Sequence, residues 1–587
     1  MHRRIWLLAG VALAVLVVAT SATATSRTAA APESASASAA PFAQAWAHVG
    51  RTPAARAAKS TAVVAMEQDL PGTFNTNYQP SNSAWTLNVV SGPVLANIFA
   101  VNDKLQYIPS LVSSVKADKK SITYVIRPNA VWNWGGKKVP VTYKDFVYTK
   151  NVILDKKNSP VSTAGVNQLG SYTHKGLKQI TFQWKTTGCT ADAPCGPFAD
   201  YRDIFTYVYP SFALKGMNFN TMWAKCVCGS NGKFVTNGPY YISNYTKGQG
   251  VTLKANPLWW GTKPSLKELD FKLITDTNAE IQAIRGGEVD IANPQPQTAM
   301  SSLVGVKGLV YKVVPGLYDE HIDLQEGPTA KNPRVPLLRA PWFRQAVMMG
   351  LDRQGLINAL YSKIAPGLKP LNNLIFYPSD TENYKDDFAK WNYNPTKAIA
   401  LLKAHGCTGG PSKPTDGNTH YFTCAGFPAK FAYTTAADNS RRVTSETIFK
   451  ANLAAIGIQV VDNLLPTATM FDDQHLTAGN YDVMEFAWGG VLDPGSGNQV
   501  WVCNGSQNYL HYCNAGVTKL LHETNTELDP DKRNAEFQAA DKLMAPQVPS
   551  IPLYDLPEVV TYRSNISGVT DTATGFTWNT QDWKWTS

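Results

Sequence analysis

A chain of 587 residues is too long for one compact core and points to roughly three or four domains. Hydrophobic residues make up 44% and charged residues 17%, the balance of a globular chain with ample core material. The net charge of +10 is modest, and the lysines and arginines are scattered without any run of five or six, which excludes a nucleic-acid-binding stripe. The 16 tryptophans and 25 tyrosines suit recognition of carbohydrate or peptide, although most such rings serve as core.

The first residues, "MHRR", are positive and precede an uncharged apolar run from Ile5 to Val18. An A-x-A cleavage site follows at Ala22-Thr23-Ala24, so residues 1–24 have the layout of a secretory signal peptide. The run falls short of the ~20 apolar residues of a membrane span, and an uncleaved anchor is the rival reading. The first cysteine is Cys189, so no lipidation cysteine follows the run. Residues 25–60 are rich in Ala, Ser and Thr and read as a flexible tether.

Order is expected from "TAVVAMEQD" at Thr61 onward, a short strand entering a polar loop. "SITYVIRP" (121–128) and "ITFQW" (180–184) alternate as half-buried strands. Between them "VTYKDFVYTKNVILD" opens a helix, with Thr142 and Asp145 as a capping box. "GVTLKANP" and "LKELDFKLI" are strands. A helix capped at Thr277 with Glu280 follows, ends at Gly286-Gly287 and feeds a strand from Val289 to Ile291. "PWFRQAVMMGLDRQGLINALY" (341–361) reads as one amphipathic helix. "SETIFKANLAAIGIQVV" is helix then strand. "LDPDKRNAEFQAADKLM" starts a helix with Asp529 as cap and Pro530 in the first position, and "VPSIPLYD" is extended. The sum is mixed α/β without a fixed-period repeat.

Eight cysteines fit an oxidising compartment. Proximity favours Cys407–Cys424 and Cys503–Cys513 as loop staples. Cys189, Cys195, Cys226 and Cys228 form a second group whose pairing is open, with a four-thiolate zinc site as the rival reading. There is no GxxxxGK[ST] phosphate loop and no GxSxG elbow, and "HETNTE" at His522 lacks the second histidine of a zincin helix. No catalytic residue, metal site or cofactor is therefore expected. Glu485, close before Trp488, keeps an exported hydrolase as an alternative.

Four stretches together resemble the extracellular solute-binding proteins of ABC importers, in the oligopeptide, dipeptide and nickel branch. Residues 105–154 carry Tyr124, Arg127, Trp132, Thr142 and Asp145 in matching places. Residues 237–291 carry Gly238-Pro239-Tyr240, Asn256, Trp259-Trp260 and Gly287-Glu288-Val289-Asp290. The third stretch is "PWFRQAVMMGLDRQGLINALY"; the fourth runs from "NLAAIGIQVV" through "YDVMEFAWGG" to "SIPLYD". The resemblance implies a two-lobed α/β fold of the periplasmic-binding-protein type (type II, cluster C) with a hinge and an extra inserted domain. One lobe would combine residues 61–98, 215–318 and 556–587, the extra domain would be 99–214, and the other lobe 319–555.

It also implies capture of a short peptide or other small solute between the lobes by an exported monomer. Delivery would be to a membrane permease with a separate ATPase chain. Glu67, Gln68 and Asp69, at the end of the first strand, and Trp488, Gly489, Gly490, Val491 and Asp493 would border the ligand. In peptide-binding members an aspartate three residues after the matching tryptophan pairs with the ligand's amino terminus. Here that residue is Val491, and a valine cannot neutralise an ammonium. Either another acid takes the charge, with Glu67-Gln68-Asp69 the candidate, or the ligand has no free amine there: a modified or cyclic peptide, an oligosaccharide or a metal chelate. A sensor or chaperone on the same fold is a third class. Trp488 as plain core is the bland alternative.

Overall fold

The computed structural model describes residues 60–587 except 71, 191–193, 315, 328–335, 472–473, 490–491, 571–574 and 587. The signal segment and almost all of the tether lie outside the described residues.

Strand Thr61–Met66 forms where "TAVVAM" was expected to, and its burial shows why it takes a central position. Ala62, Val64, Ala65 and Met66 are all fully buried, so both faces of the strand are covered. It pairs in parallel with Glu268–Leu273 and with Ile291–Ala292. The complete sheet has seven strands, ordered Tyr240–Thr246, Gly250–Ala255, Glu268–Leu273, Thr61–Met66, Ile291–Ala292, Glu558–Arg563 and Leu309–Val314. A strand from the far end of the sequence thus sits inside a sheet begun at its start.

A second sheet of five strands is ordered Gln459–Leu465, Lys430–Ala436, Val483–Gly489, Tyr318–Leu324 and Ser550–Asp555. A third, antiparallel, joins Val112–Ala117, Ser121–Ile126, Gln179–Trp184 and Leu169–Lys175. One hydrophobic core joins one face of the seven-stranded sheet to this third sheet, and a second runs from the other face of the seven-stranded sheet, with Ala65, Ile284 and Ala292, through the five-stranded sheet and its helices.

The chain passes between the two large sheets at two places, from Val314 to Tyr318 and from Asp555 to Glu558. These crossings lie side by side: the Leu556 amide donates to the Tyr318 carbonyl at 2.8 Å. Gly316 makes this approach possible, because a methyl there would overlap the Leu556 carbonyl. Two short adjacent crossings between two sheets are the construction of a hinge.

Local signals held where they were self-contained. Thr142 and Asp145 form a complete capping box, Gly287 ends its helix in the left-handed region at φ 83°, and Asp529 caps Pro530–Met544. The helix Thr277–Gly286 is capped by Asp276 rather than Thr277, with the Asp276 carboxylate accepting from the Ala279 amide at 2.7 Å. The expected single helix over 341–361 is two, Pro341–Gly350 and Arg353–Tyr361. Leu351 is extended, and the Asp352 carboxylate restarts the helix by accepting from the Gly355 amide at 2.8 Å. Disulfides join Cys407 to Cys424 and Cys503 to Cys513, and the open group resolves as Cys189–Cys195 and Cys226–Cys228.

Candidate functional site

Both groups of sequence-selected residues lie at the hinge side of their sheets. Glu67 follows strand Thr61–Met66 at its carboxyl end. The neighbouring strand Ile291–Ala292 ends on the same side, where the Asn293 side-chain nitrogen donates to the Val559 carbonyl at 2.9 Å, close to the second crossing. Gly489 pairs with Tyr318, the first residue after the other crossing, and Trp488 pairs with Asp319.

Glu67 is nearly buried, 7% exposed. One of its oxygens accepts from the Thr277 hydroxyl at 2.9 Å and from the Gln295 amide at 3.2 Å. Behind it stands Glu280, fully buried on the helix Thr277–Gly286. Burial, and then the charge of Glu67, push the Glu280 carboxyl up to about 9, so it keeps its proton at neutral pH. Neither glutamate makes an ion pair among the described residues.

The other two acidic-loop residues have different surroundings. Gln68 is exposed. Asp69 accepts from the Tyr245 hydroxyl at 3.1 Å, the Gly248 amide at 2.8 Å and the Leu70 amide at 2.8 Å, which ties it to the turn of the hairpin Tyr240–Ala255. Its carboxylate is thereby used within the fold.

Trp488 is half-buried and packs against both the core of the five-stranded sheet and a small cluster around Met484 and Phe486. Its ring lies parallel to His321 at 6.2 Å and near-parallel to Tyr509 at 5.9 Å, with Phe486 edge-on at 5.2 Å. Its indole nitrogen is buried without a hydrogen-bond partner. Gly489 is exposed beside Tyr318. Gly490 and Val491 lie outside the described residues.

Asp493 accepts from the Gly495 amide at 3.1 Å and pairs with Arg533 at 2.6 Å. The same guanidinium pairs with Asp200, from the segment that carries the four-stranded sheet. Burial works against the charge of Asp493, but Arg533 outweighs it and holds the carboxyl below its ordinary range. Burial and the adjacent Asp493 push Asp200 well up. Asp493 is thus one side of an Arg533 clamp between distant parts of the chain.

The strand Tyr318–Leu324 carries two further charge clusters that sequence reasoning missed. On the Trp488 face, His321 lies 3.3 Å from Asp319 and 3.6 Å from Asp323. Burial alone would lower it, but Asp323 and Asp319 together raise it to about 9. On the opposite face Glu320 pairs with Arg442 at 2.6 Å and Arg441 at 3.1 Å. Glu485 belongs to that face. It is fully buried, accepts from the Tyr433 hydroxyl at 2.9 Å, and is raised to about 8 by burial and by Glu320. That position gives it a structural part in a closed network. The only sequence sign of these clusters was the alternation of charges in "YDEHIDL", in a strand whose last five residues are all buried.

The fold, two sheets exchanging chain at a hinge with an added third sheet, defines the class: a two-lobed α/β binding protein. The model of the bacterial extracellular solute-binding proteins, family 5, matches residues 106–509, and the chain belongs to that family. It is similar to the oligopeptide-binding protein OppA of Mycobacterium tuberculosis, with 24% identity over 512 residues, 85% of this chain and 80% of the relative. Among solved structures it resembles the periplasmic EDTA-binding protein EppA, with TM-score 0.76, 20% identity and coverage of 90% and 97% of the two chains. It also resembles the oligopeptide-binding protein AppA of Bacillus subtilis in complex with a nonapeptide, with TM-score 0.69, 20% identity and coverage of 90% and 99%. No helix among the described residues is long and apolar enough to cross a membrane.

Proposed function

We propose that this protein captures a short peptide between its two lobes and delivers it to an ABC permease driven by a separate ATPase chain. The lobes would be 61–98 with 215–318 and 556–587, and 319–555, with 99–214 as the added domain. The protein acts outside the cytoplasm as a monomer and is a binder rather than an enzyme. Residues 1–24 direct export and 25–60 tether it.

One observation carries the peptide reading: Glu67 has no cation of its own among the described residues. Asp493 is neutralised by Arg533, and Asp69 is only half-buried with both its oxygens on donors, whereas the Thr277 and Gln295 donors to Glu67 fall on one oxygen. A carboxylate that is nearly buried and has no ion pair among the described residues is costly unless a ligand brings the positive charge. A peptide's ammonium is that charge, and Glu67 takes the part that Val491 cannot. The names of relatives, OppA and the di/tripeptide-binding protein 2 of Pseudomonas aeruginosa, point the same way. Trp488 and Gly489 supply the facing wall.

The second reading is a solute without a free amine, such as a metal chelate or an oligosaccharide. The Arg533 clamp on Asp493 favours it, because the loop after Trp488 then has no free acid. Native mass spectrometry of the protein purified from its own secretory compartment separates the two. Bound masses that fragment as peptides are expected. A bound chelate or saccharide, with no retention of a tri- to pentapeptide library, would overturn the peptide reading.

A further inference from the structure

A cavity of about 330 Å³ opens where residues 92–110, 127–129, 239–261 and 578–581 meet. It shares no residue with the hinge-side site, and none of its lining comes from 319–555. Its size is at the lower end of small-molecule sites.

Its walls are unusual in their aromatic content. Trp259, Trp260 and Trp578 all line it. The Trp260 indole nitrogen donates to the Asn237 carbonyl at 3.0 Å, and that of Trp578 to the Thr570 carbonyl at 3.1 Å. These bonds fix two rings. Trp259 differs: it is 8% exposed and its indole nitrogen is enclosed, with no partner among the described residues. Gly261, also in the lining, lies against that nitrogen, and a methyl there would be 2.8 Å from it. Glycine at 261 has an ordinary negative φ, so it is the close approach to the indole that excludes a side chain.

Arg127 completes the wall. Its Nε donates to the Ser110 carbonyl at 2.5 Å and Nη2 to the Pro109 carbonyl at 2.8 Å, which fixes the guanidinium 6.0 Å from the Trp260 ring centre. Nη1 has no partner among the described residues. Asn129 donates to the Trp260 carbonyl at 3.1 Å, which leaves its own oxygen open as an acceptor.

We propose that this cavity is a second binding site and that it takes a sugar ring carrying a carboxylate. The C–H face of a sugar ring covers an indole face, and its hydroxyls need donors and acceptors around the rim. The Asn129 side-chain oxygen can accept from one of those hydroxyls at the rim. The Arg127 guanidinium, fixed in advance, selects the carboxylate.

The test is saturation-transfer NMR and calorimetry on the intact chain with D-glucuronate and D-glucose. Glucuronate should bind, with glucose weaker by about tenfold. Ala100→Trp fills the cavity and should abolish glucuronate binding, with unchanged thermal unfolding and unchanged peptide capture. Arg127→Gln should weaken glucuronate about tenfold and leave glucose as it was. Ile108→Trp, at a lining position that is 38% exposed, should weaken both sugars and serves as the independent check if Ala100→Trp unfolds. Absence of glucuronate binding, equal affinity for the two sugars, or binding that survives in Ala100→Trp or, where that variant unfolds, in Ile108→Trp would each overturn the proposal.

Discussion

The two lobes treat buried acids in opposite ways at the hinge. In the lobe of the five-stranded sheet most of the acids beside the hinge strand are answered by a cation, Glu320 by Arg441 and Arg442, Asp319 and Asp323 by His321, Asp493 by Arg533, while Glu485 is raised to about 8 behind Glu320. In the lobe of the seven-stranded sheet, Glu67 and Glu280 stand together without a cation, and Glu280 holds a proton instead. A lobe whose charges are closed on themselves is a frame. A lobe that leaves one carboxylate open is where a ligand's charge can be worth most, because desolvation has already been incurred in folding.

The contrast can be broken first in the frame. Arg442→Ala leaves Glu320 buried with only Arg441 and should cost about 3 to 5 kcal/mol in denaturant unfolding. A loss below about 1 kcal/mol would mean that the network is dispensable. His321 is next. Its folded value of about 9 lies above the ordinary 6.5, so its contribution is full below pH 6.5 and is lost as pH rises through about 9. The difference in stability between the native chain and His321→Gln should shrink across that window by at most about 3 kcal/mol. A pH-independent difference would remove the imidazolium from the account.

The hinge itself gives a smaller effect. Gly316→Ala forces the two crossings apart and should destabilise by about 2 kcal/mol while weakening ligand capture, read by thermal unfolding and calorimetry. The smallest effect belongs to the open lobe. Glu280→Gln replaces a carboxyl already protonated, so stability at pH 7 should change by less than about 1 kcal/mol. A loss as large as that of Arg442→Ala would mean that the two lobes do not differ.

What could be read from the sequence was what neighbours in the chain decide. The Thr142–Asp145 capping box, the Gly287 stop and the Asp529-Pro530 start are each closed within a few residues. The break at Leu351-Asp352 was written in the same code, an aspartate with Gly355 three positions on, but the apolar stripe on either side masked it. Thr277 was a plausible cap by type. In the fold its hydroxyl goes to Glu67, 210 positions away, a partner no local pattern can name. The same holds for Arg533 between Asp493 and Asp200. The candidate site was therefore proposed at two strand ends, through the resemblance, while the pairing state of each acid came only from long-range packing.

The most direct test of the central claim compares one peptide with its N-acetylated form, on the native chain and on Glu67→Gln, by calorimetry. The free-amine peptide should lose about 100-fold in affinity with Glu67→Gln. The acetylated peptide should bind both proteins alike, at about the level of the weakened pair. Equal binding of the free-amine peptide by both proteins would contradict the account and move the ligand's charge away from Glu67.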